Sequence, residues 1–259
     1  MLEVREVKLA NLADCAKVCV GTNLPRGMDA FAAVDLQRTK VAFLRGLRGD
    51  GAGARAAYRD GKLVGSLDWY PIEHSPTPVS GKDLFVVNCA RTAEPGARSE
   101  VVGALVASAE EAWKARAGVA ALGRNRSWEE FGFEIAAQRK APEKDSGGQT
   151  LYLRKYRPEA EAAFLEPTGG LAPEPGRTRV DLFLSDRCPW NGYVLDLVRK
   201  ACASYGKPIQ ILEHDCRTRA GVERFGVGGG VAVNGVFQPV LRPHLLPDER
   251  GLHRMLDLA

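Results

Sequence analysis

The stretch Val180 to Lys200, V-D-L-F-L-S-D-R-C-P-W-N-G-Y-V-L-D-L-V-R-K, places a strand, a cysteine and a helix in immediate succession. The apolar run Val180 to Leu184 ends at the turn-forming Ser185-Asp186-Arg187. Cys188-Pro189 then enters a helix whose apolar residues are Tyr193, Val194, Leu195, Leu197 and Val198. Proline is tolerated in a first helical turn because its missing N–H would have no intrahelical partner there. The free N–H groups and the positive dipole end of a helix favour thiolate over thiol, so Cys188 is expected to be a reactive thiol. Its pKa should fall below the free-cysteine value of about 8.5, with Arg187 adding to the shift. The competing reading is a small helix-start residue that happens to carry sulfur.

Outward from this segment, Pro208 to Glu213 reads as the parallel partner strand of a right-handed βαβ unit. Gly230 to Phe237 holds the Asn234-Gly235 pair of a two-residue hairpin, and Arg250 to Leu258 closes as a short helix. The order βαβββα with Cys-Pro at its first helix resembles the thioredoxin-like fold. Asn191 stands three residues after Cys188, so no Cys-x-x-Cys disulfide can form, and Gly228-Gly229-Gly230 occupies the region of the cis-proline loop that the resemblance implies. His214, Asp215 and Cys216 are expected at the same carboxyl edge as Cys188, either as part of a site or as a chance gathering of loop residues. Cys216 would then be the one thiol able to resolve an oxidised Cys188. Cys202 lies roughly 21 Å further along the helix at about 1.5 Å per residue and cannot.

At 259 residues the chain suits two domains of about 100 to 200 residues each. The joint falls between Leu165 and Arg179, where proline and glycine appear without apolar periodicity, giving residues 1–158, a linker at 159–178 and a smaller domain at 179–259. The start M-L-E-V-R-E-V-K has no signal-like apolar region, and no apolar run approaches the roughly 20 residues that span a bilayer, so a cytoplasmic protein without membrane contact is expected. Six scattered cysteines suit reduced thiols rather than a structural zinc site. The net charge of +4 is too diffuse for a nucleic-acid partner.

In the first 158 residues, Glu3 to Val7 reads as a strand, followed by helices at Leu12 to Val20 and Leu36 to Leu47. Ala54 to Tyr58 and Lys62 to Trp69 flank the turn Arg59-Asp60-Gly61 as a hairpin, and Asp83 to Cys89 is a buried strand. Arg98 to Arg116 is a long helix with Val101, Val102, Leu105, Val106, Ala109 and Trp113 on one side. Gly118 to Leu122 is the next strand, Ser127 caps a short helix ending at Phe131-Gly132-Phe133, and Thr150 to Lys155 is the last strand. The fold class is therefore α/β of the α+β kind, a mixed sheet with helices followed by the smaller domain. Cys15 and Cys19 share one helix face, as part of a metal site or as core residues.

This succession resembles the GNAT acetyltransferase fold over about residues 1 to 157, most specifically in R-T-A-E-P-G-A-R-S-E-V-V-G-A-L and S-W-E-E-F-G-F. The resemblance implies acetyl-CoA as cofactor, bound near Cys89, Gly96, Ala97, Arg98, Ser99 and Val101, with backbone N–H groups at the helix start facing the pyrophosphate. Arg98 and Glu100 stand where the family carries small residues; Glu100 would repel a phosphate and Arg98 could pair with one. Trp128 stands where many members carry the tyrosine that protonates the departing thiolate, a role indole cannot fill, and acid catalysis of that kind is worth roughly 10²- to 10⁴-fold. Asp68, Glu73, His74 and Asp83 are general-base candidates, though none has a spacing that singles it out and each reads more readily as a solvated charge or salt-bridge partner.

The two halves together resemble the bacterial YoaP-like family, in which a Cys-Pro-aromatic triplet follows a degenerate acetyltransferase domain across a linker. The function this implies is acetyl transfer from acetyl-CoA to a small-molecule or peptide amine. The alternative is a thiol-centred binding or redox protein acting through Cys188, with the GNAT-like half as a scaffold.

Overall fold

A computed structural model of the chain describes residues 1–21, 24, 28, 30–47, 51–123, 127–139, 149–166, 177–238, 251–253 and 256. The first half runs β1 (Leu2–Glu6), α1 (Leu12–Gly21), α2 (Ala30–Leu47), β2 (Gly53–Arg59), β3 (Lys62–Pro71), β4 (Val79–Gly81) and β5 (Leu84–Thr92). It continues with α3 (Arg98–Trp113), β6 (Gly118–Gly123), β7 (Glu134–Arg139), β8 (Gln149–Lys155) and β9 (Ala162–Phe164). The second half runs β10 (Thr178–Leu184), α4 (Trp190–Ser204), β11 (Ile209–Asp215), α5 (Arg219–Phe225), β12 (Gly230–Val233) and β13 (Val236–Phe237). Both hairpins form where an acidic or amide residue precedes glycine: Asp60-Gly61 and Asn234-Gly235 all have positive φ, the paired left-handed conformation that a two-residue turn requires.

The large sheet has the order β1-β2-β3-β5-β6-β8-β7, and its one parallel pair is β5 with β6. On one face, Val101, Leu105, Val106 and Trp113 of α3 pack on Leu67, Trp69, Val87 and Val119. A Cβ on Gly65 would come within 2.4 Å of Val101 Cγ1, so glycine there lets α3 lie directly on β3. On the other face, Leu12 and Cys15 of α1 and Leu44 of α2 cover Ala54, Ala56 and Tyr58 of β2. The alternation along β2 thus separates two cores, with Ala57 turned toward α3.

The second sheet has the order β11-β10-β12-β13, with β10 and β11 parallel and β12 antiparallel to β10. Its core unites Val180, Leu182, Leu195, Val198, Val231 and Val233 with Leu252 and Leu256. The expected order βαβββα is corrected by α5, which lies between β11 and β12. That helix has seven residues, of which Val222 and Phe225 are buried, too few for a visible period; the Thr218 hydroxyl accepts from Gly221 N–H and left-handed Gly226 ends it.

Several boundaries also move. The second helix begins at Ala30 rather than Leu36, and α3 ends at Trp113 rather than Arg116. Ser127 does not cap the 3-10 turn at Glu129–Phe131; Trp128 holds that position, without a side-chain bond. The span expected as linker begins as structure, since Ala160 and Phe164 are buried, β9 pairs with β4, and Leu165 N–H donates to Pro78 O. Residues 167–176 of that span lie outside the described residues, as does most of the expected closing helix, of which 251–253 are helical. Among the described residues no helix is long and apolar enough to cross a membrane.

The halves meet along α1, α2 and the loop before β4. Trp190 Nε1 donates to Cys19 O at 3.3 Å, and Arg187 Nη1 to Thr77 Oγ1 at 3.2 Å. Arg219 Nη1 lies 3.5, 3.4 and 2.9 Å from the carbonyls of Ser75, Thr77 and Val79. Replacing Arg219 by alanine withdraws that shared donor and should lower the unfolding free energy by about 2 kcal/mol, the scale of an unmet buried acceptor bound by a charged group. Urea unfolding of the full chain measures it. Arg219→Lys, keeping one donor centre, should recover part of the loss, and an unchanged midpoint for both variants would remove these contacts from the docking.

Candidate functional site

Strands β5 and β6 pair only from Leu84↔Gly118 to Val87↔Ala121. Beyond that point β5 follows β3 as far as Thr92↔Gly65, whereas β6 follows β8 as far as Gly123↔Thr150. A register shift between Asp68 and Trp69 accompanies the divergence, and a bulge of this kind bends and twists its strand. The result is a wedge at the carboxyl end of the one parallel pair, and α3 begins at the same edge.

The start of α3 follows a 3-10 turn at Pro95–Ala97, and Ala97 provides no side-chain cap. Carboxylates of the chain itself surround it. Arg59 bonds Glu100 at 2.8 Å and Glu94 at 3.2 Å; Arg98 bonds Glu130 at 2.7 Å and the Ser127 carbonyl at 2.7 Å; Ser99 Oγ donates to Glu130 at 2.6 Å. Arg98 and Ser99, expected to meet a phosphate, are thus engaged by Glu130. A Cβ on Gly96 would meet nothing, so no close approach requires glycine there, and the Val101 side chain is fully buried against β3. Trp128 is buried, and its Nε1 donates to Leu122 O.

The opposite face of the wedge carries the chemistry. Asp68 sits across from Cys89 in the β3–β5 register. Its carboxylate, 1% exposed, accepts from Lys40 Nζ at 2.9 Å, Tyr70 Oη at 2.7 Å and Asn88 Nδ2 at 2.6 Å. With three donors committed to it, Asp68 is a structural anion rather than a free base. Lys40 comes from the middle of α2 and is 1% exposed. Burial opposes its charge, but Asp68 and the Cys89 and Cys19 sulfurs outweigh that and hold the ammonium above its ordinary range.

Cys89 is half-buried beside this pair. The neighbouring Cys19 thiol, on α1, favours the Cys89 thiolate, as do Lys40 and Arg91, while burial opposes it, and the Cys89 pKa falls to about 6. The charge of Cys89, against burial, holds the Arg91 guanidinium above its ordinary value. The neighbouring Cys89 and burial push Cys19 well above the usual thiol value, and burial with the charge of Asp68 pushes Cys15 up to about 12. Sequence reasoning placed Cys89 at the end of a buried strand beside the expected cofactor and passed over Lys40 and Arg91. The available signals were the four-residue spacing of Cys15 and Cys19 and a lysine inside the apolar run of α2.

Other expected site residues fall elsewhere. Cys188 is half-buried at the junction of the halves, packed with Val20, Leu36 and Trp190 rather than standing at an open strand edge. The Trp190–Cys19 bond sets it near Cys19. Cys216 does not join it: the residue is fully buried with Phe183, Val222 and Phe225, and burial, with Asp215 adding, pushes the thiol up to about 12. His214 Nε2 lies 2.7 Å from Asp181 and stacks on Phe183, so it is also committed. The Cys188-centred reading therefore loses its proposed partners. Pro71 pairs with Phe85 and Asp68 with Cys89, which puts Glu73 and His74 at the far end of β5, on the order of 15 Å from Cys89 at about 3.3 Å per residue. Glu73 and Asp83 are ion-paired with Arg116 and Arg157, and His74 is exposed. Among the described residues no three His, Cys, Asp or Glu side chains gather to hold a metal ion.

No protein-family model and no curated protein matches this sequence. Solved structures do resemble it. An aminoglycoside 6'-acetyltransferase type Ii is 12% identical with a TM-score of 0.44, covering 61% of this chain and 99% of its own. A GNAT family acetyltransferase from Brucella melitensis in complex with acetyl-CoA is 15% identical with a TM-score of 0.41, covering 63% and 96%. The ribosomal-protein-S18-alanine N-acetyltransferase from Escherichia coli is 11% identical with a TM-score of 0.43, covering 61% and 95%.

Two outcomes follow from the Lys40–Asp68–Cys89 geometry. A lowered pKa means that the folded state favours the thiolate, so alkylation of Cys89 by iodoacetamide should rise with pH through a midpoint at about 6 and level off above it. A rise that continues toward about 8.5, the free-thiol value, would contradict the assigned surroundings. Lys40→Met should lower stability by about 3 kcal/mol, because it strands a buried carboxylate, and should move the labelling midpoint upward. Denaturant unfolding and pH-resolved peptide mapping read the two effects separately.

Proposed function

We propose that the chain is an acetyl-CoA-dependent N-acyltransferase acting on a small-molecule or peptide amine. The observation that carries this is the divergence of β5 and β6 beyond Val87 and Ala121, with α3 starting at the same edge. Ligands of α/β sheets bind outside the carboxyl ends of parallel strands, and the free N–H groups of a helix start suit a diphosphate. A pantetheine arm is a linear chain with two amides. The strand edges left unpaired by the wedge offer such amides backbone partners, as an added strand would find them.

The chain's own charges set the terms of binding. Arg59 and Arg98 flank the helix start and would exchange Glu94, Glu100 and Glu130 for phosphate oxygens. Neither Trp128 nor the committed Asp68 supplies proton transfer, so the acceptor amine must arrive neutral and the departing thiolate must be protonated by solvent. A cleft of about 400 Å³ between α2 and the start of α4, lined by Asp35, Asp186 and Asp196 together with Arg199 and Arg217, would seat the acceptor.

Calorimetry of the full chain with acetyl-CoA tests the reading. Binding should be measurable and should tighten about threefold to tenfold in Glu130→Gln, since the substitution removes a rim carboxylate that competes for Arg98 and repels the diphosphate. Neither heat nor a thermal shift at millimolar acetyl-CoA, in the wild type or in Glu130→Gln, would reject it.

A further inference from the structure

We infer that Asn88 positions the acceptor, its side-chain Oδ1 taking a hydrogen bond from an N–H of the incoming amine; the inference rests on the acetyl-transfer reading and assigns a residue within it. The strand register singles Asn88 out. Pairing of β3 with β5 passes from Asp68↔Cys89 to Trp69↔Val87, so Asn88 is the extra residue of the bulge and has no opposite number in β3. On the other side, β5 pairs with β6 only as far as Val87↔Ala121, which makes Asn88 the first residue of β5 in the wedge. A bulge re-aims the side chain it carries and is common beside active sites.

The orientation of the amide follows from its neighbour. Nδ2 donates to Asp68 Oδ1 at 2.6 Å. The Asp68 carboxylate is ion-paired with Lys40 at 2.9 Å and accepts from Tyr70 Oη at 2.7 Å, so it has lone pairs to offer and no proton. Turning the amide over would set two oxygens against each other; the NH2 group therefore stays on Asp68, and Oδ1 is turned away from it. Asn88 is half-buried, and Oδ1 has no hydrogen-bond partner among the described residues. An acceptor so placed takes its donor from water or from a ligand. A primary or secondary amine fits the demand: one N–H goes to Oδ1, and the nitrogen lone pair stays free to attack the thioester carbonyl. As the C–N bond forms and the C–S bond breaks, the coenzyme thiolate takes a proton from solvent and the nitrogen releases one to it; Asn88 exchanges no proton. Its bond fixes the approach of the amine, and the Lys40–Asp68–Tyr70 network keeps the amide from rotating.

The test uses the full chain with isotopic nitrogen in its asparagines, and glycinamide as the amine probe. With coenzyme A bound, glycinamide should shift the Asn88 side-chain amide resonance saturably in the wild type, and turnover of acetyl-CoA should yield N-acetylglycinamide. Asn88→Leu removes the acceptor and should raise KM for glycinamide about tenfold, the worth of one hydrogen bond, with the affinity for acetyl-CoA unchanged. Asn88→Ser keeps a donor for Asp68 and an acceptor for the amine, and its KM should fall between the two. An Asn88 resonance that does not move in a chain that binds acetyl-CoA, or a KM that Asn88→Leu leaves unchanged, would overturn the assignment while the transfer reading stands. No binding of acetyl-CoA by calorimetry would instead reject the transfer reading, and the assignment with it. The wild-type titration decides the question even if a variant fails to fold.

Discussion

The buried Lys40–Asp68 ion pair is the constraint on which the site depends. Taking two ions out of water costs several kcal/mol each, and a pair so placed persists only when its remaining hydrogen-bonding capacity is met. Tyr70 and Asn88 meet it for Asp68, and the Cys89 thiolate adds a negative partner for Lys40. The pair joins α2 to β3 at the register shift where β5 leaves β6, so one interaction anchors the helix, the bulge and the wedge. It also divides its influence on Cys89. Asp68 works against the thiolate and Lys40 works for it, and the neighbouring Cys19 thiol adds the larger favourable effect.

The other end of the wedge obeys a different logic. The positive end of α3 would attract any anion, and the chain supplies its own in Glu94, Glu100 and Glu130. These carboxylates are tethered, so their approach costs little entropy, whereas an external diphosphate must lose its translational freedom and displace them. The ion pairs involved are partly exposed, and such pairs are worth about 1 kcal/mol or less. That is small beside the gain available to a doubly anionic group at a helix start with two arginines. The rim therefore lowers cofactor affinity without closing the site.

How much of this was legible depended on whether the signal was local. The Asp60-Gly61 and Asn234-Gly235 turns, the α3 stripe and the parallel β10–α4–β11 unit could be read because turn chemistry and apolar period act within a few residues. Strand β7, with mostly exposed residues, and α5, with two buried ones, carry too little period to be seen. Of the base candidates, Asp68 reaches the site and Glu73 and His74 do not, because strand length and pairing decide that and neither is written in the residues' immediate neighbours. The neighbourhood of Cys19 and Cys89 is less legible still, because it depends on α1 packing on β3 and β5, a tertiary fact that the spacing of Cys15 and Cys19 hints at without naming a partner.

The Cys188-Pro189-Trp190 triplet shows what such a motif can become when a second domain is docked. A proline at the head of α4 fixes the exit direction of the chain, and here that direction drives Trp190 into α1, where it is 4% exposed and bonded to Cys19 O. The bond uses a carbonyl near the end of α1, one that helix geometry leaves without an intrahelical donor. The indole thus caps the first domain's helix from outside. Its apolar body joins Val20 and Leu36 and closes that end of α1 to water. The second domain accordingly acts on the first through shape and solvent exclusion, while its own Cys188 remains packed in the junction.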